Sequence, residues 1–460
     1  MQHIDPQLLR NRHPHFYYRE ATYLLKENGL ELSFTFELEN GPVFSPTIFF
    51  PTISKIRFSQ LNSELIQEWV FQIGLVEMLS YWKSACSPKI IIQAGYLEKN
   101  QLTFWRSLLQ KGLSEFFFVN QIDGWQEDFV QLEVTHEPTH RRWSVAPLTE
   151  LALIPVGGGK DSIVSLELGR ELDIPVSTMT LNITSQVQQL LAVAGNFNHY
   201  NIQRTLDPKL LDLNQSGYLN GHTPFSAMLA FISTFAGVLY DFKYVVLSNE
   251  WSANEGNTVF LGQTINHQYS KSFEFEVAFS EYLKNYLTPE VIYFSWLRPL
   301  HEVQIALLFS KYPQYFSTFL SCNRGQKEGK WCGTCPKCLF VFILLSAFLP
   351  KSDVQKIWGH DLFKDLALQE ILAELTGKIE VKSLECVGTR QESLYALALA
   401  LKREGSSSVD GLWQKATEMV GDVQKVALEA DQFMKSYQDD RQLPDAFKQV
   451  LITKIRSLHD

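Results

Sequence analysis

The chain is short of positive charge: 41 Lys and Arg stand against 50 Asp and Glu, a formal net charge of −9 over 460 residues. That balance argues against broad nucleic-acid binding, which needs many cations to neutralise phosphates. An anionic ligand must instead meet a local positive site against an unfavourable overall field. The N-terminus, "MQHIDPQLLRNRH", lacks the apolar core of a signal peptide, so nothing in it directs the chain out of the cytoplasm. Membrane-length apolar runs are missing too. "CLFVFILLSAFL" (Cys338 to Leu349) falls short of the roughly 20 residues that cross a bilayer. Pro224 to Phe242 is longer, but Ser, Thr and Gly interrupt it and it runs into a strand-like "YVVLS". It reads as a buried helix of an α/β layer. The expectation is a soluble cytoplasmic protein without membrane insertion.

What is present suits large cores: 45% hydrophobic residues, with 32 Phe, 17 Tyr and 10 Trp. A chain of this length is expected to divide into two or three domains. Residues 1–147 mix signals and read as an α+β accessory domain. "LSFTFEL" (Leu32 to Leu38) alternates like a half-buried strand, Ser63 to Trp82 has helical spacing with Ser63 as its cap, and "KIIIQAG" reads as a buried strand. From residue 148 the rhythm becomes strand, loop, helix, repeated. "LALIPV", a helix from Asp161, a strand over Val176 to Asn182, a helix over Ser185 to Ala194 and "NIQRTL" follow one another. That alternation predicts an α/β domain over 148–350 with a parallel sheet covered on both faces, ligands binding at the carboxyl ends of its strands. Residues 351–460 read as a helical C-terminal region, with an amphipathic helix from Asp361 ending at Gly377 and a hinge or cap at Gly405 to Ser408.

Between the first strand and helix of the α/β region lies "PVGGGKDS", Pro155 to Ser162. A glycine loop opening a helix offers backbone N–H groups and the positive end of the helix dipole to an anion, and a Cβ would hold the backbone off a phosphate. The Walker pattern fails because Asp161 follows Gly159-Lys160 where Ser or Thr is required, and the dinucleotide pattern GxGxxG fails as well. The loop resembles the pyrophosphate loop of the ATP-pyrophosphatase superfamily, SGGxDS. Gly157 replaces the first Ser, and Gly158, Gly159, Asp161 and Ser162 match, with Lys160 between them. The resemblance implies a Rossmann-like parallel sheet and ATP cleaved between the α- and β-phosphates. It also implies adenine beside the backbone at Asn182, phosphates or Mg²⁺ near Asn249, Glu250 and Glu255, and a phosphate steadied by Arg298. On the residues alone, the Glu and Asn positions also suit plain loop caps, and Arg298 a structural ion pair.

Four of the six cysteines, Cys322, Cys332, Cys335 and Cys338, share the stretch "CNRGQKEGKWCGTCPKC". Their spacing suits four thiolates around one structural Zn²⁺; unligated thiols around a catalytic or partner-binding turn are the alternative. A similar cluster occurs in 7-cyano-7-deazaguanine synthase, which keeps a nucleobase- or tRNA-modifying enzyme as an alternative, beside a non-catalytic nucleotide-binding scaffold.

The order of an N-terminal mixed domain, "PVGGGKDS", "NEWSANEGN", "QYSKSFEFE", "CGTCPKCLFVF" and "LECVGTRQESLYALALAL" resembles the UDP-N-acetylmuramoyl-L-alanyl-L-glutamate epimerases, from about residue 15 to 405. That resemblance implies a small-molecule UDP-MurNAc dipeptide substrate and consumption of ATP with Mg²⁺. The terminal L-Glu would be inverted through an acyl-adenylate, in peptidoglycan synthesis. Activating the α-carboxylate removes its charge and acidifies Cα–H for a base. Cys386 is a candidate base, since a thiolate of lowered pKa abstracts such protons, and equally an ordinary small buried hydrophobe. His267, His222 and His301 are further acid–base candidates. Lys271 suits a substrate carboxylate or phosphate, or a solvated surface. "THRRW" (Thr139 to Trp143) suits a diphosphate or a solvated face.

Overall fold

The computed structural model describes residues 4–136, 145–405 and 411–458. The strands in chain order are β1 (His15–Lys26), β2 (Gly29–Leu38), β3 (Val43–Phe44), β4 (Thr47–Pro51), β5 (Lys89–Ile92), β6 (Gln131–Val134), β7 (Ala152–Pro155), β8 (Val176–Leu181), β9 (Asn198–Thr205), β10 (Tyr244–Leu247), β11 (Thr258–Phe260), β12 (Gln263–Ile265) and β13 (Ile292–Ser295). β11 and β12 form a separate hairpin. The other eleven make one sheet in the order β13-β10-β7-β8-β9-β4-β2-β1-β5-β6, with β3 beside β2.

Pairing from β13 to β9 is parallel, from β9 through β4 and β2 to β1 antiparallel, and from β1 through β5 to β6 parallel again. The sequence shows the reason for the difference. In β2, Leu32, Phe34, Phe36 and Leu38 are buried and alternate with half-buried polar residues, the pattern of a strand with one covered face. In β7 and β10 every residue is buried, because helices cover both faces of that part of the sheet. The fold is mixed α/β with a largely parallel sheet and a helical C-terminal region.

One face of the sheet is covered by helices that include Ser63–Trp82, Lys99–Gly112, Phe225–Tyr240 and Phe273–Tyr282. The other is covered by Lys160–Gly169, Glu302–Phe309, Pro336–Ser346 and Arg390–Glu404. The antiparallel β9–β4 pairing carries the sheet without a break from residues 1–147 into the α/β region. A bidentate ion pair reinforces the join, Arg204 donating to the buried Glu77 carboxylate at 2.8 and 2.9 Å.

Two local expectations need correction. The helix Ser63–Trp82 is capped by Asn62, whose side chain accepts the Glu64 N–H at 2.7 Å, and Ser63 is its first residue. The amphipathic stretch from Asp361 is broken into 3₁₀ turns at Leu362–Lys364 and Leu366–Leu368 before the helix Gln369–Leu375, because the Asp361 and Asp365 side chains each bond the backbone two residues on. Gly377 does close that segment, at φ +76°. Thr139 to Trp143 and Ser406 to Ser408 lie outside the described residues. Among the described residues no helix is long and apolar enough to cross a membrane.

Candidate active site

At the carboxyl end of β7 the chain turns through Val156–Gly159 and enters the helix Lys160–Gly169. Gly158 sits at φ +87°, a conformation L side chains rarely adopt. A Cβ at Gly157 would meet nothing within 4 Å, so open space lies over the loop. That space is part of a cavity of about 310 Å³. Gly157, Gly159, Asp161 and Ser162 line it from the loop, and Asn249 and Glu250 from the end of β10. Lys271, Lys337, Cys322 and Cys386 also line it. Residues 155 and 386, far apart in sequence, thus share one cleft at the carboxyl ends of parallel strands, where α/β sheets place ligands.

Cys386 is the chemical centre of that cleft. Lys271 Nζ donates to its Sγ at 3.4 Å, Lys337 Nζ donates to its carbonyl oxygen, and the His267 ring acts on the sulfur from behind. Burial alone would raise the thiol pKa, but the charges of Lys271, His267 and Lys337 outweigh it and hold the thiol well below its ordinary value. Burial would likewise lower His267; its bonds to Cys386 and Glu115 prevail and lift it to about 10. Lys271 is pushed up against its own burial by Cys386, Glu250 and Asp161. The result is a thiol of lowered pKa flanked by the Lys271 ammonium and the His267 ring.

Beside it lies a carboxylate group. Asp161, Glu250 and Glu302 place oxygens within 4.8 Å of one another. Lys160 is buried behind them, paired with Asp161 and Glu302. Burial pushes the Glu302 carboxyl up to about 8 despite Lys160, whereas Lys160 and Lys337 hold Asp161 below its usual range against the same burial.

The structure sorts the expected site residues. Gly157, Gly159, Asp161, Ser162, Asn249, Glu250, Lys271 and Cys386 line the cleft. Lys160 turns away from it to bind carboxylates, and Gly158 faces Val187 and Leu320. Asn182 stands at the end of β8 at φ +57°, its side chain tied to the Arg204 backbone at 2.7 and 2.8 Å. Arg298 is 1% exposed and spends its donors on the Glu276 carboxylate and the carbonyls of Glu250 and Lys271. It positions two cleft residues from behind, so the structural ion pair is the reading the geometry supports. Glu255 pairs with Lys382 at 3.1 Å, and His301 caps the helix Glu302–Phe309 and bonds Gln438 at 3.0 Å, both apart from the cleft lining. His222 packs against His267 with ring centroids 4.6 Å apart. Sequence reasoning missed Lys337, although it lies inside the "CPKC" turn, and missed Glu115 and Glu302, which no local pattern marks.

The four cysteines converge. Their Sγ atoms lie within 4.8 Å of one another, with Cys322–Cys335 at 3.8 Å and Cys332–Cys338 at 3.6 Å. Backbone N–H groups of Gly325, Gly333 and Cys338 point at these sulfurs. A larger cavity of about 500 Å³, lined by Pro313, Phe316 and Trp331 among others, contains no cysteine or histidine and shares only Leu320 with the cleft.

A mixed α/β sheet carries, at the carboxyl ends of its parallel strands, a cleft where a cysteine of lowered pKa, two lysines and a glycine loop meet, with a histidine behind the cysteine, the layout of an α/β enzyme. The family model described as the MurL N-terminal domain matches residues 8–296, and that of the MurL C-terminal domain matches residues 318–431. The UDP-N-acetyl-alpha-D-muramoyl-L-alanyl-L-glutamate epimerase of Xanthomonas oryzae pv. oryzae is 32% identical over 379 residues, covering 80% of this chain and 82% of that one. Proteins of the same name from a Micromonospora species and from Salinispora tropica are each 34% identical, covering 72% of this chain and 74% and 73% of theirs. The chain belongs to the MurL epimerase family.

Proposed function

We propose that the protein inverts the terminal L-Glu of UDP-MurNAc-L-Ala-L-Glu at the expense of ATP, with the superfamily's pyrophosphate loop at Gly157–Ser162 and Cys386 as the base. The single observation that carries the mechanism is that Cys386, its thiol pKa held down by Lys271, His267 and Lys337, opens into the same cleft as the glycine loop. The substrate follows from the family.

The α-proton of a free glutamate carboxylate is hard to remove, because a dianion results. Transfer of AMP to the α-carboxylate, with pyrophosphate leaving, removes that charge. The N–H groups at the start of Lys160–Gly169 and the open space over Gly157 suit the departing pyrophosphate. Cys386 Sγ then takes the Cα proton, and the Lys271 ammonium beside it offsets the negative charge that develops on the acyl oxygen. A proton returned to the opposite face and hydrolysis of the mixed anhydride complete the inversion and release AMP. Asp161 and Glu250 suit a Mg²⁺ ion: Glu250 is 3% exposed, lines the cleft and makes no side-chain hydrogen bond among the described residues. Bound there, the ion would draw charge off the phosphates.

The four thiols suit a structural Zn²⁺. Tetrahedral ligands at about 2.3 Å from zinc stand about 3.8 Å apart, close to the 3.6 and 3.8 Å of the two sulfur pairs. Such a site would staple the Cys322–Cys338 loop that brings Lys337 to the cleft.

The test is incubation with ATP, Mg²⁺ and the UDP-muramoyl dipeptide in deuterated water. AMP release together with D-Glu deuterated at Cα is the expected result. No AMP and no exchange would remove the assignment, and a deazapurine carboxylate would be the next acceptor to try.

A further inference from the structure

We propose that Glu115 and His222, contributed from outside the cleft, are positioning residues that hold His267 against Cys386 and so set the reactivity of the Cys386 sulfur. Cys386 lines the cleft and His267 does not, so the imidazole stands behind the sulfur and away from the ligand space. His267 Nδ1 is hydrogen-bonded to Glu115 Oε2, and His222 Nδ1 approaches the same oxygen at 3.5 Å. The three side chains are only 13–18% exposed. With Nδ1 bound to the carboxylate, the ring's other nitrogen is left for the sulfur, giving a row of carboxylate, imidazole ring and sulfur.

The scaffold that fixes this row is specific. Lys83 holds the His222 turn by donating to Thr223 Oγ1 at 2.6 Å and to the Gly221 carbonyl. The His267 N–H donates to Asn257 Oδ1 at 2.8 Å, while Asn257 Nδ2 donates to the Ser383 carbonyl at 2.7 Å and Gln268 Nε2 to the Val387 carbonyl at 3.2 Å. The segments bearing His267 and Cys386 are thereby laced together. Glu115 itself comes from the short helix Ser114–Val119, in the part of the chain that carries no catalytic motif.

Charge supports the geometry. Burial, then His267, Lys83 and Lys271, lower His222 to about 3, so it stays neutral and packs on the His267 ring without competing for the Glu115 charge. The Glu115 charge is left to His267. The other groups facing this row are Lys271, Lys337 and Glu385 around Cys386, with Lys83 beyond His222.

The role of Cys386 as base rests on the proposed function; the reactivity of its sulfur does not, and the experiment reads it separately. In the full-length protein, alkylation of Cys386 by iodoacetamide would be followed by peptide mass spectrometry across pH. E115Q should slow the reaction at pH 7 by about tenfold, the usual scale for losing a nearby opposite charge, while leaving the rate at high pH unchanged. Its kcat should fall with KM little altered. A folded E115Q protein with the wild-type alkylation profile would overturn the proposal. A second readout needs no variant: the ¹⁵N resonances of His267 in the wild-type protein should report an imidazolium at pH 7, and a neutral ring there would overturn it equally. If the wild type shows no Cα exchange yet its alkylation profile depends on Glu115, the row stands and the epimerase mechanism falls.

Discussion

Cysteine stands in three different environments in this protein, and neighbours rather than burial separate them. Cys86 is fully buried, and burial pushes its thiol up, leaving an inert packing group. Cys386 is also taken from bulk water, but Lys271, His267 and Lys337 reverse the effect of burial and hold its thiol pKa down at the edge of a cleft. The Cys322–Cys338 quartet makes a third environment, in which sulfurs face one another and accept from backbone N–H groups. A burial pattern read from sequence would place Cys86 and Cys386 together; the cations around the sulfur separate them.

The largest expected effect breaks the glycine-loop side of the site. Asp161→Asn should abolish AMP formation while circular dichroism stays native; full AMP release would contradict the pyrophosphate-loop reading. Arg298→Met should come next, destabilising the fold by about 3–5 kcal/mol in denaturant titration, because the Glu276 carboxylate, 1% exposed, would lose its buried cation. Unchanged stability would contradict the structural role given to Arg298. The quartet is tested by Cys335→Ser, which should lose bound zinc in protein purified under reducing conditions and lower the melting temperature. Wild-type protein free of zinc would defeat the metal proposal.

The cysteine centre also sets a pH profile. A thiol held low is ionised above its folded pKa, so kcat/KM should stay level through neutral pH and fall only as acid protonates Cys386. It should fall again as pH rises through about 10, where His267 loses its proton. An acid limb near the ordinary thiol value would contradict the electrostatic account. The smallest effect belongs to Gly157→Ser: a Cβ there meets nothing within 4 Å, so stability should change by less than about 0.5 kcal/mol.

Much of this was legible in the sequence where the signal is local. The glycine loop is contiguous, its helix begins at Lys160, one residue before the expected Asp161, and the strands β7 and β10 announce themselves by unbroken apolar runs, whereas β8 was placed by the strand–helix alternation. The cysteine spacing announced the convergence of four sulfurs. For Arg298 the choice between a phosphate contact and a structural ion pair was not legible, because a motif-like position does not show that a buried Glu276 waits for it. Glu115 was invisible for a related reason: it meets His267 from 152 positions away, and nothing near residue 115 marks it as anything but a helix residue. The amphipathic stretch after Asp361 misled because two Asp side chains capture the local backbone and break the helix.

The most direct test of the central claim is deuterium incorporation by Cys386→Ala, compared with wild type, with ATP, Mg²⁺ and the UDP-muramoyl dipeptide in deuterated water. The account predicts that AMP is still released while deuterium at Cα and D-Glu fall by a factor of about 10²–10⁴, the usual loss with a general base. Deuterated D-Glu formed by this variant at the wild-type rate would contradict it.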